Sequence, residues 1–234
     1  MLRKADLHQY STWSRGASDP RAIIDRAMRE GIEAIAITDL ATDAAYVEAS
    51  TYGMQNRIEV LRATALPVHF RGGLFTIIVY GANPRDAAWR NLVRSERSNH
   101  HARAATLAAQ ARGLQNSDVP WSQLSQILNV VHGAGGVASL AYPGAYGSRA
   151  NSTYSVLESM QSVGLDAIEA YSPLHHPAFI DDLVQFANAR GLLITGGSAH
   201  GLIDNRSSRN RGTIYLPLHY YVALKKRLDK NHGQ

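Results

Sequence analysis

Side chains that can bind a metal ion follow several short apolar runs of the sequence, at the points where strands would end. His8, Asp39 and His200 form the donor set with suitable chemistry, because two imidazoles and one carboxylate suit zinc, manganese or iron. The chain contains no cysteine, which excludes a thiolate zinc cluster and a cysteine nucleophile. Any metal must therefore be held by histidine and carboxylate. The alternative interpretation is that both histidines are held by hydrogen bonds and bind no metal.

A second group of side chains near the same strand ends could bind an anion without a metal. The guanidinium of Arg15 can hold a phosphate through two parallel hydrogen bonds. The hydroxyls of Tyr10, Tyr142 and Ser198 can donate to the remaining phosphate oxygens. The alternative is that the two tyrosine rings only fill space in the core, as close packing requires. The sequence leaves both interpretations open.

A basic helical stretch offers a third kind of site. Arg90, Arg94 and Arg97 are spaced by four and three residues, so they lie on one face of a helix and could contact the phosphates of a nucleic acid. The net charge of +5 is compatible with a polyanionic partner. The alternative is a solvated helix face, which is the usual role of a run of charges.

Short apolar runs and helical patterns alternate along the chain and would position these side chains. Strands are predicted at 5–8, 33–38, 137–141, 166–171 and 192–196, and helices at 20–30, 41–51, 84–112, 120–132, 155–163 and 177–190. Two β-rich runs around Arg71-Gly72-Gly73 predict an antiparallel hairpin over 58–80, and a basic helix is predicted over 218–231. This order predicts parallel pairing with right-handed crossovers, hence a doubly wound sheet or an α/β barrel. Functional side chains in such folds gather at the carboxyl ends of the strands.

Length and composition indicate a globular protein of one domain, spanning residues 1–234. Of the 234 residues, 45% are apolar and 18% are charged, which excludes the disordered, collagen-like and coiled-coil classes. No apolar run approaches the ~18 residues of a membrane span, and the N-terminal segment lacks the apolar region of a signal peptide. We therefore expect a cytoplasmic protein with no membrane partner.

Five ordered segments of the chain resemble motifs of the PHP superfamily, the polymerase and histidinol phosphatase fold, and especially its short bacterial phosphoesterases. Residues 6–11 (DLHQYS) resemble D-L-H-x-H-S, and residues 34–40 (AIAITDL) resemble the strand that ends in T-D-H. Residues 132–143 resemble H-x-x-G-G through A-H-P, residues 164–171 (GLDAIEAY) resemble G-x-D-x-I-E-V, and residues 196–201 resemble G-G-S-D-x-H-G. The resemblance implies a distorted seven-stranded α/β barrel that holds up to three divalent metals for phosphoester hydrolysis.

The metal ligands of that family are mostly absent from this sequence. His8 and His200 match family histidines. Four positions carry a different residue where the family has histidine or aspartate: Tyr10, Leu40, Tyr142 and Ala199. The resemblance thus implies a metal site that has degenerated, because two histidines cannot reproduce a cluster of several metals.

Three functional interpretations follow from this resemblance. The leading one is a degenerate PHP-domain protein that lacks the metal-dependent phosphoesterase activity, needs no cofactor and binds a phosphate-bearing small molecule, a nucleic acid or a protein partner. One alternative is an active phosphoesterase of nucleotides or oligonucleotides with metal at His8, Asp39 and His200, to which His175 or His176 adds a ligand. The other is an RNA-associated scaffold, since degenerate PHP-like folds are known among ribonuclease P protein subunits.

Overall fold

Strands and helices alternate over much of the chain, except for three successive strands over 59–80 and the two successive helices that follow those strands. The computed structural model describes residues 3–110, 122–145, 150–201 and 214–233, and only the backbone over 101–110 and 150–152. Its strands are β1 (Lys4–Gln9), β2 (Ile32–Ile37), β3 (Glu59–Leu61), β4 (Ala63–Phe70), β5 (Gly73–Tyr80), β6 (Val137–Leu140), β7 (Ala167–Tyr171), β8 (Leu193–Gly196) and β9 (Leu216–Pro217). Its helices are α1 (Pro20–Arg29), α2 (Ala45–Gln55), α3 (Ala87–Gln110), α4 (Leu124–Gly133), α5 (Ala150–Ser162), α6 (Pro177–Arg190) and α7 (Leu218–Asn231).

Local signals set the ends of helices α1 and α6. Asp19 caps α1, where its carboxylate accepts the backbone N–H of Ala22 at 2.8 Å. His176 caps α6 by accepting the N–H of Ala178, and Gly191 ends that helix in the left-handed conformation at φ 66°. Both helices lie where they are predicted, because these caps act within one turn of the chain.

Helix α2 begins four residues later than predicted. The predicted range is 41–51, whereas the helix spans Ala45–Gln55. Ala41 has φ 51°, in the left-handed region that an α-helix cannot include. The N–H of Thr42 donates to the hydroxyl of Thr64 on β4 at 3.0 Å. Contacts with another strand therefore hold this segment out of the helix.

Helix α3 is the longest described helix, with 24 residues. Its predicted end at residue 112 and the predicted start of α4 at residue 120 lie outside the described residues. Among the helices that the structure describes, none combines the length and the apolarity that crossing a lipid bilayer requires.

The strands form two sheets and not the closed barrel that was predicted. One sheet has the order β3-β2-β1-β9 and the other has the order β4-β5-β6-β7-β8. Strands β1 to β3 pair in parallel, as do β6 to β8, and the other pairs are antiparallel. In the described part of the chain, single bridges join the sheets, Gln9 with His200 and Leu40 with Ala65. The barrel prediction is wrong because these bridges, at and after the carboxyl ends of β1 and β2, are single contacts and do not extend into a ladder that would close the sheets.

The predicted hairpin over 58–80 is shorter in the structure. Strands β4 and β5 pair antiparallel in continuous register from Ala63 with Tyr80 to Phe70 with Gly73. The two turn residues have positive φ values, 47° at Arg71 and 81° at Gly72, as a two-residue hairpin turn requires. The start of the predicted range instead forms β3, which pairs in parallel with β2.

Two hydrophobic clusters hold these strands in place. The larger includes buried side chains of β1, β5 and α7, such as Leu7, Ile77 and Leu224. The smaller packs Ile24 of α1 against Ile35 of β2. Full burial of each such side chain contributes about 1.5–3 kcal/mol. Apolar packing therefore holds in place the strands whose ends carry the polar side chains.

Candidate functional site

A fully buried pair of side chains joins β1 to β7 at the centre of the candidate site. His8 Nδ1–H donates to Glu169 Oε1 at 2.7 Å, and neither side chain has exposed surface. The second oxygen of Glu169 accepts the backbone N–H of Tyr142 at 2.9 Å. Each oxygen of the carboxylate therefore has a donor, which a buried carboxylate requires.

Sequence reasoning missed Glu169 as a site residue and treated it only as part of a strand motif. A signal was present, since Glu169 is the one charged residue of β7, and a charged residue inside a buried strand generally has a partner. Its partner could not be identified, because His8 lies 161 residues away in the chain.

Two buried tyrosines close the other side of the His8 ring. His8 Nε2 lies 3.0 Å from the hydroxyl of Tyr10 and 2.9 Å from the hydroxyl of Tyr142. In the neutral ring, Nδ1 carries the proton that Glu169 accepts, so Nε2 is the acceptor for the tyrosine hydroxyls. The lone pair that a metal would use therefore already faces hydroxyl donors. Tyr142 has φ 50°, a strained value for a bulky residue, so the surrounding contacts hold it in this position.

Asp39 is held by two serines of the loop after β1. Its carboxylate accepts the N–H of Ser11 at 2.8 Å, the Ser11 hydroxyl at 2.5 Å and the Ser14 hydroxyl at 2.6 Å. Asp39 is fully buried, and both of its oxygens have protein donors. In this arrangement the carboxylate orders the loop that follows β1.

Asp6 organises the segment after β8 in the same way. It accepts the Ser198 N–H at 2.8 Å and the Ser198 hydroxyl at 2.6 Å, and Arg26 Nη2 lies 3.3 Å away. Burial raises the pKa of Asp6, while the charge of Arg26 and the hydrogen bonds from Ser198 act against that rise. Gly197 permits this close approach, because a Cβ there would lie 2.4 Å from His8 N.

Of the other histidines of the predicted site, His175 has protein partners for both of its ring nitrogens. His175 Nδ1–H donates to the carbonyl of Ala170 at 2.9 Å, and its Nε2 accepts the N–H of Gly144 at 3.3 Å. Burial lowers the pKa of His175, and burial together with the charge of Arg26 lowers the pKa of His200. Both rings therefore favour the neutral form.

The predicted metal trio is not brought together as a chelating set. The described residues contain no group of three or more histidine, aspartate or glutamate side chains that could hold a metal. His8 and Asp39 belong to separate hydrogen-bond networks, and each is satisfied by protein donors and acceptors. Leu40 and Ala199, where the family has ligands, carry no donor atom. This donor set does not fit the multinuclear metal cluster that the family resemblance implies.

The hydroxyls of the predicted anion ligands are engaged by other side chains of the chain. The hydroxyls of Tyr10 and Tyr142 turn inward to His8, and the hydroxyl of Ser198 donates to Asp6. Arg15 is exposed on the loop after β1. The three hydroxyls therefore already have protein partners.

The three helix arginines do share one surface. Arg90, Arg94 and Arg97 are exposed on α3 and line a cavity of about 410 Å³. Arg62, which lies between β3 and β4, lines the same cavity and is absent from the sequence-based set. No spacing pattern relates Arg62 to α3, so only the folded chain shows that they are neighbours.

Two curated proteins are similar to this chain in sequence, while no protein-family model matches it. A 3′,5′-nucleoside bisphosphate phosphatase of Chromobacterium violaceum is 24% identical over 250 residues, covering 84% of this chain and 87% of the relative. A 5′-3′ exoribonuclease of Haemophilus influenzae is 19% identical over 217 residues, covering 72% of this chain and 79% of the relative.

Solved structures share the architecture over nearly the whole chain. A candidate metal-dependent phosphoesterase of Bifidobacterium adolescentis superposes with a TM-score of 0.78 at 18% sequence identity. An amidohydrolase of Chromobacterium violaceum, with bound sulfate and no metal, superposes with a TM-score of 0.79 at 21% sequence identity. Each comparison covers 96% of this chain and 96% of the other chain. A two-domain protein of Bacteroides vulgatus, described as containing a PHP-like metal-dependent phosphoesterase, gives 0.59 at 12% identity, covering 99% of this chain and 63% of that one. The chain therefore has the mixed α/β fold of the PHP-like metal-dependent phosphoesterases.

Proposed function

We propose that this chain is a PHP-fold protein that does not perform metal-dependent phosphoester hydrolysis and instead binds a phosphate-bearing ligand. The observation that carries the proposal is the closed environment of His8. Its Nδ1 is engaged by Glu169 and its Nε2 by the hydroxyls of Tyr10 and Tyr142. A metal at Nε2 would have to displace two buried hydroxyls, each of which costs about 1–3 kcal/mol if left unsatisfied.

The carboxylates near His8 support the same proposal. Asp6, Asp39 and Glu169 are all fully buried, and all accept hydrogen bonds from backbone or side-chain donors. Hard divalent cations require such oxygens as ligands, and here the oxygens already organise the loops around the strand ends. These carboxylates thus maintain the fold and do not act as metal ligands.

The phosphate-bearing ligand is supported by charge and by the relatives. The chain carries 24 lysine and arginine residues against 19 acidic ones. The relative from Chromobacterium violaceum acts, by its name, on a nucleoside bisphosphate, and the relative from Haemophilus influenzae on RNA. A cytoplasmic location, where nucleotides are abundant, is part of this proposal.

The test is metal content and turnover of the same preparation. Protein purified without chelator is analysed for zinc, manganese and iron, and is then assayed with added manganese on adenosine 3′,5′-bisphosphate and on a generic phosphodiester. We expect less than one metal per chain and a rate equal to that of the His8→Ala variant. Stoichiometric metal, with turnover that both His8→Ala and His200→Ala abolish, would overturn the proposal.

A second candidate is an active phosphoesterase with a reduced metal site. It is favoured by the three carboxylates and His8 that the fold retains at one end of its strands. The same assay decides between the two, because only this candidate predicts turnover that depends on His8. The RNA-associated scaffold remains a prediction that RNA binding would test.

A further inference from the structure

We propose that the cavity beside α3 binds a nucleoside phosphate whose phosphate groups carry at least two negative charges in total. We call this cavity the arginine cleft and define it by Arg62, Arg90, Arg94 and Arg97, which line it. The inference rests on the part of the proposed function that gives the chain a phosphate-bearing ligand, and it names where that ligand binds. It does not depend on whether the strand-end site hydrolyses phosphoesters.

The arginines converge from two elements of the fold. Arg90, Arg94 and Arg97 follow one face of α3, and at 1.5 Å per residue the row extends over about 10 Å, enough to contact two phosphate groups. Arg62 approaches from the link between β3 and β4, where its guanidinium lies 3.9 Å from the ring centroid of Tyr46. Arginine side chains thus line the cleft on two sides, with Arg62 already paired to Asp43.

The positive charge in the cleft is largely uncompensated. Asp43 is the one acidic residue of the lining, and its carboxylate pairs with Arg62 at 2.5 Å. Arg97 donates to the hydroxyl of Thr42 at 3.2 Å, which orients it toward the cleft and leaves its charge in place. Among the described residues, no carboxylate lies within ion-pair distance of Arg90, Arg94 or Arg97. Three guanidinium groups are therefore available to an anion.

The first turn of α2 adds to the attraction for anions. Ala44 lines the cleft and immediately precedes α2, and the helix has no side-chain cap at this end. The N-terminus of a helix carries partial positive charge, which favours a bound anion, and at this end of α2 the N–H groups of Ala44 and Tyr46 already donate to the Thr42 hydroxyl and the Asp43 carbonyl. This feature and the arginine row lie in the same cavity.

The shape of the cleft favours a small molecule with an apolar part. Its volume of about 410 Å³ lies within the range of small-molecule sites, about 300–1,000 Å³. Trp89, Pro84 and Val93 contribute apolar surface to the lining. A ribose and base can pack there while the phosphates meet the arginines, so we infer a mononucleotide rather than a nucleic-acid strand.

The test is calorimetric titration of the full chain with adenosine 3′,5′-bisphosphate, with adenosine as comparison. We expect the bisphosphate to bind and adenosine to give no measurable heat. Arg90→Ala with Arg94→Ala should weaken binding by about a hundredfold, since each of the two charge-assisted contacts is worth about tenfold or more. Both positions are exposed on a helix, where alanine is well tolerated, so the variant should fold.

The matched control removes two positive charges elsewhere. Lys226→Ala with Lys230→Ala changes two exposed positions of α7 and should leave the affinity within about twofold of the parent, because neither lysine lines the cleft and salt screens exposed charges. A second readout uses Trp89 as the only tryptophan, with Trp13 and Trp121 replaced by phenylalanine. Bisphosphate binding should then change its fluorescence.

Three outcomes would overturn the inference. Unchanged affinity in the α3 variant, with binding lost in Arg15→Ala with Ser198→Ala, would place the ligand at the strand ends and leave the proposed function standing. Binding of an RNA oligonucleotide through Arg90 and Arg94, without binding of the bisphosphate, would show that the ligand of the cleft is a nucleic acid and not a nucleotide. No binding of the bisphosphate at all would reject the cleft, while the metal and turnover assay separately judges the loss of hydrolysis.

Discussion

His8 and Glu169 stand 161 residues apart in the chain, yet their side chains meet at 2.7 Å with no exposed surface. The contact links the first strand to the seventh and satisfies a buried carboxylate. In the PHP-like fold this position lies at the carboxyl ends of the strands, where chemistry is usually located. Here the pair forms the centre of a hydrogen-bonded network that Tyr10 and Tyr142 complete.

Glu169→Ala should lower the free energy of unfolding by about 2–6 kcal/mol, because the buried N–H groups of His8 and Tyr142 each lose their acceptor, at about 1–3 kcal/mol per group. Glu169→Gln should cost much less, since the His8 ring can exchange tautomers. Its Nδ1 then accepts from the amide, and its Nε2–H donates to a tyrosine hydroxyl. Urea unfolding measures both variants. Glu33→Ala, at an exposed pair with Arg3, is the control and should leave stability nearly unchanged. Equal losses for Gln and Ala at position 169 would contradict this tautomer exchange.

Restoring the family's ligands should restore metal binding. The variant carries four substitutions together: Tyr10→His, Leu40→His, Tyr142→His and Ala199→Asp. It should take up at least one zinc or manganese per chain by metal analysis, and its thermal unfolding should shift upward when metal is added. The control is Tyr10→Phe with Tyr142→Phe, which removes the hydroxyls without adding ligands and should take up none. If the variant with four substitutions folds but binds no metal, metal binding requires more than these four side chains.

The free energy of unfolding should decrease as the pH drops below neutral, and His175 should account for part of that decrease. Burial lowers the pKa of this histidine in the folded chain. Once the pH drops below the ordinary histidine pKa of about 6.5, the unfolded chain therefore binds more protons than the folded chain. The contribution is therefore fully present above that value and is lost as the pH falls. His175→Gln should lose less stability than the parent between about pH 7.5 and about pH 5.5 in urea unfolding. His219→Gln, at an exposed position, should follow the parent. Asp6 and His200 are unchanged in every chain, so their contributions cancel in the comparison.

The hairpin turn offers a test of backbone conformation alone. Gly72 has φ 81°, and a Cβ there would meet no atom within 4 Å, so Gly72→Ala acts only through strain. We expect a loss of about 1 kcal/mol in the free energy of unfolding. Gly133→Ala is the matched control, since a Cβ at this helical position also meets nothing within 4 Å and φ is not positive. It should be neutral or stabilise by up to about 1 kcal/mol. A loss of equal size at both positions would refute the role of φ at Gly72.

Elements with local signals could be predicted closely. Helix α6 spans Pro177–Arg190, the predicted range, because His176 and Gly191 act on atoms within one helical turn. The start of α2 could not be predicted, because the hydrogen bond from Thr42 to Thr64 crosses between a loop and β4. The closed barrel was predicted and is not observed, since the pairing of distant strand edges depends on how the two sheets pack.

The amino-acid sequence alone determined that positions 40 and 199 carry no chelating group, because the side chains of leucine and alanine have no donor atom. The tertiary structure alone decided what the remaining polar groups do. Glu169 accepts a hydrogen bond from His8 only because the packing of the two sheets brings β1 and β7 together, and Arg62 joins the arginines of α3 only because the link from β3 to β4 packs beside that helix. Contacts between residues far apart in the chain follow from the packing of whole strands and helices, which no local spacing encodes.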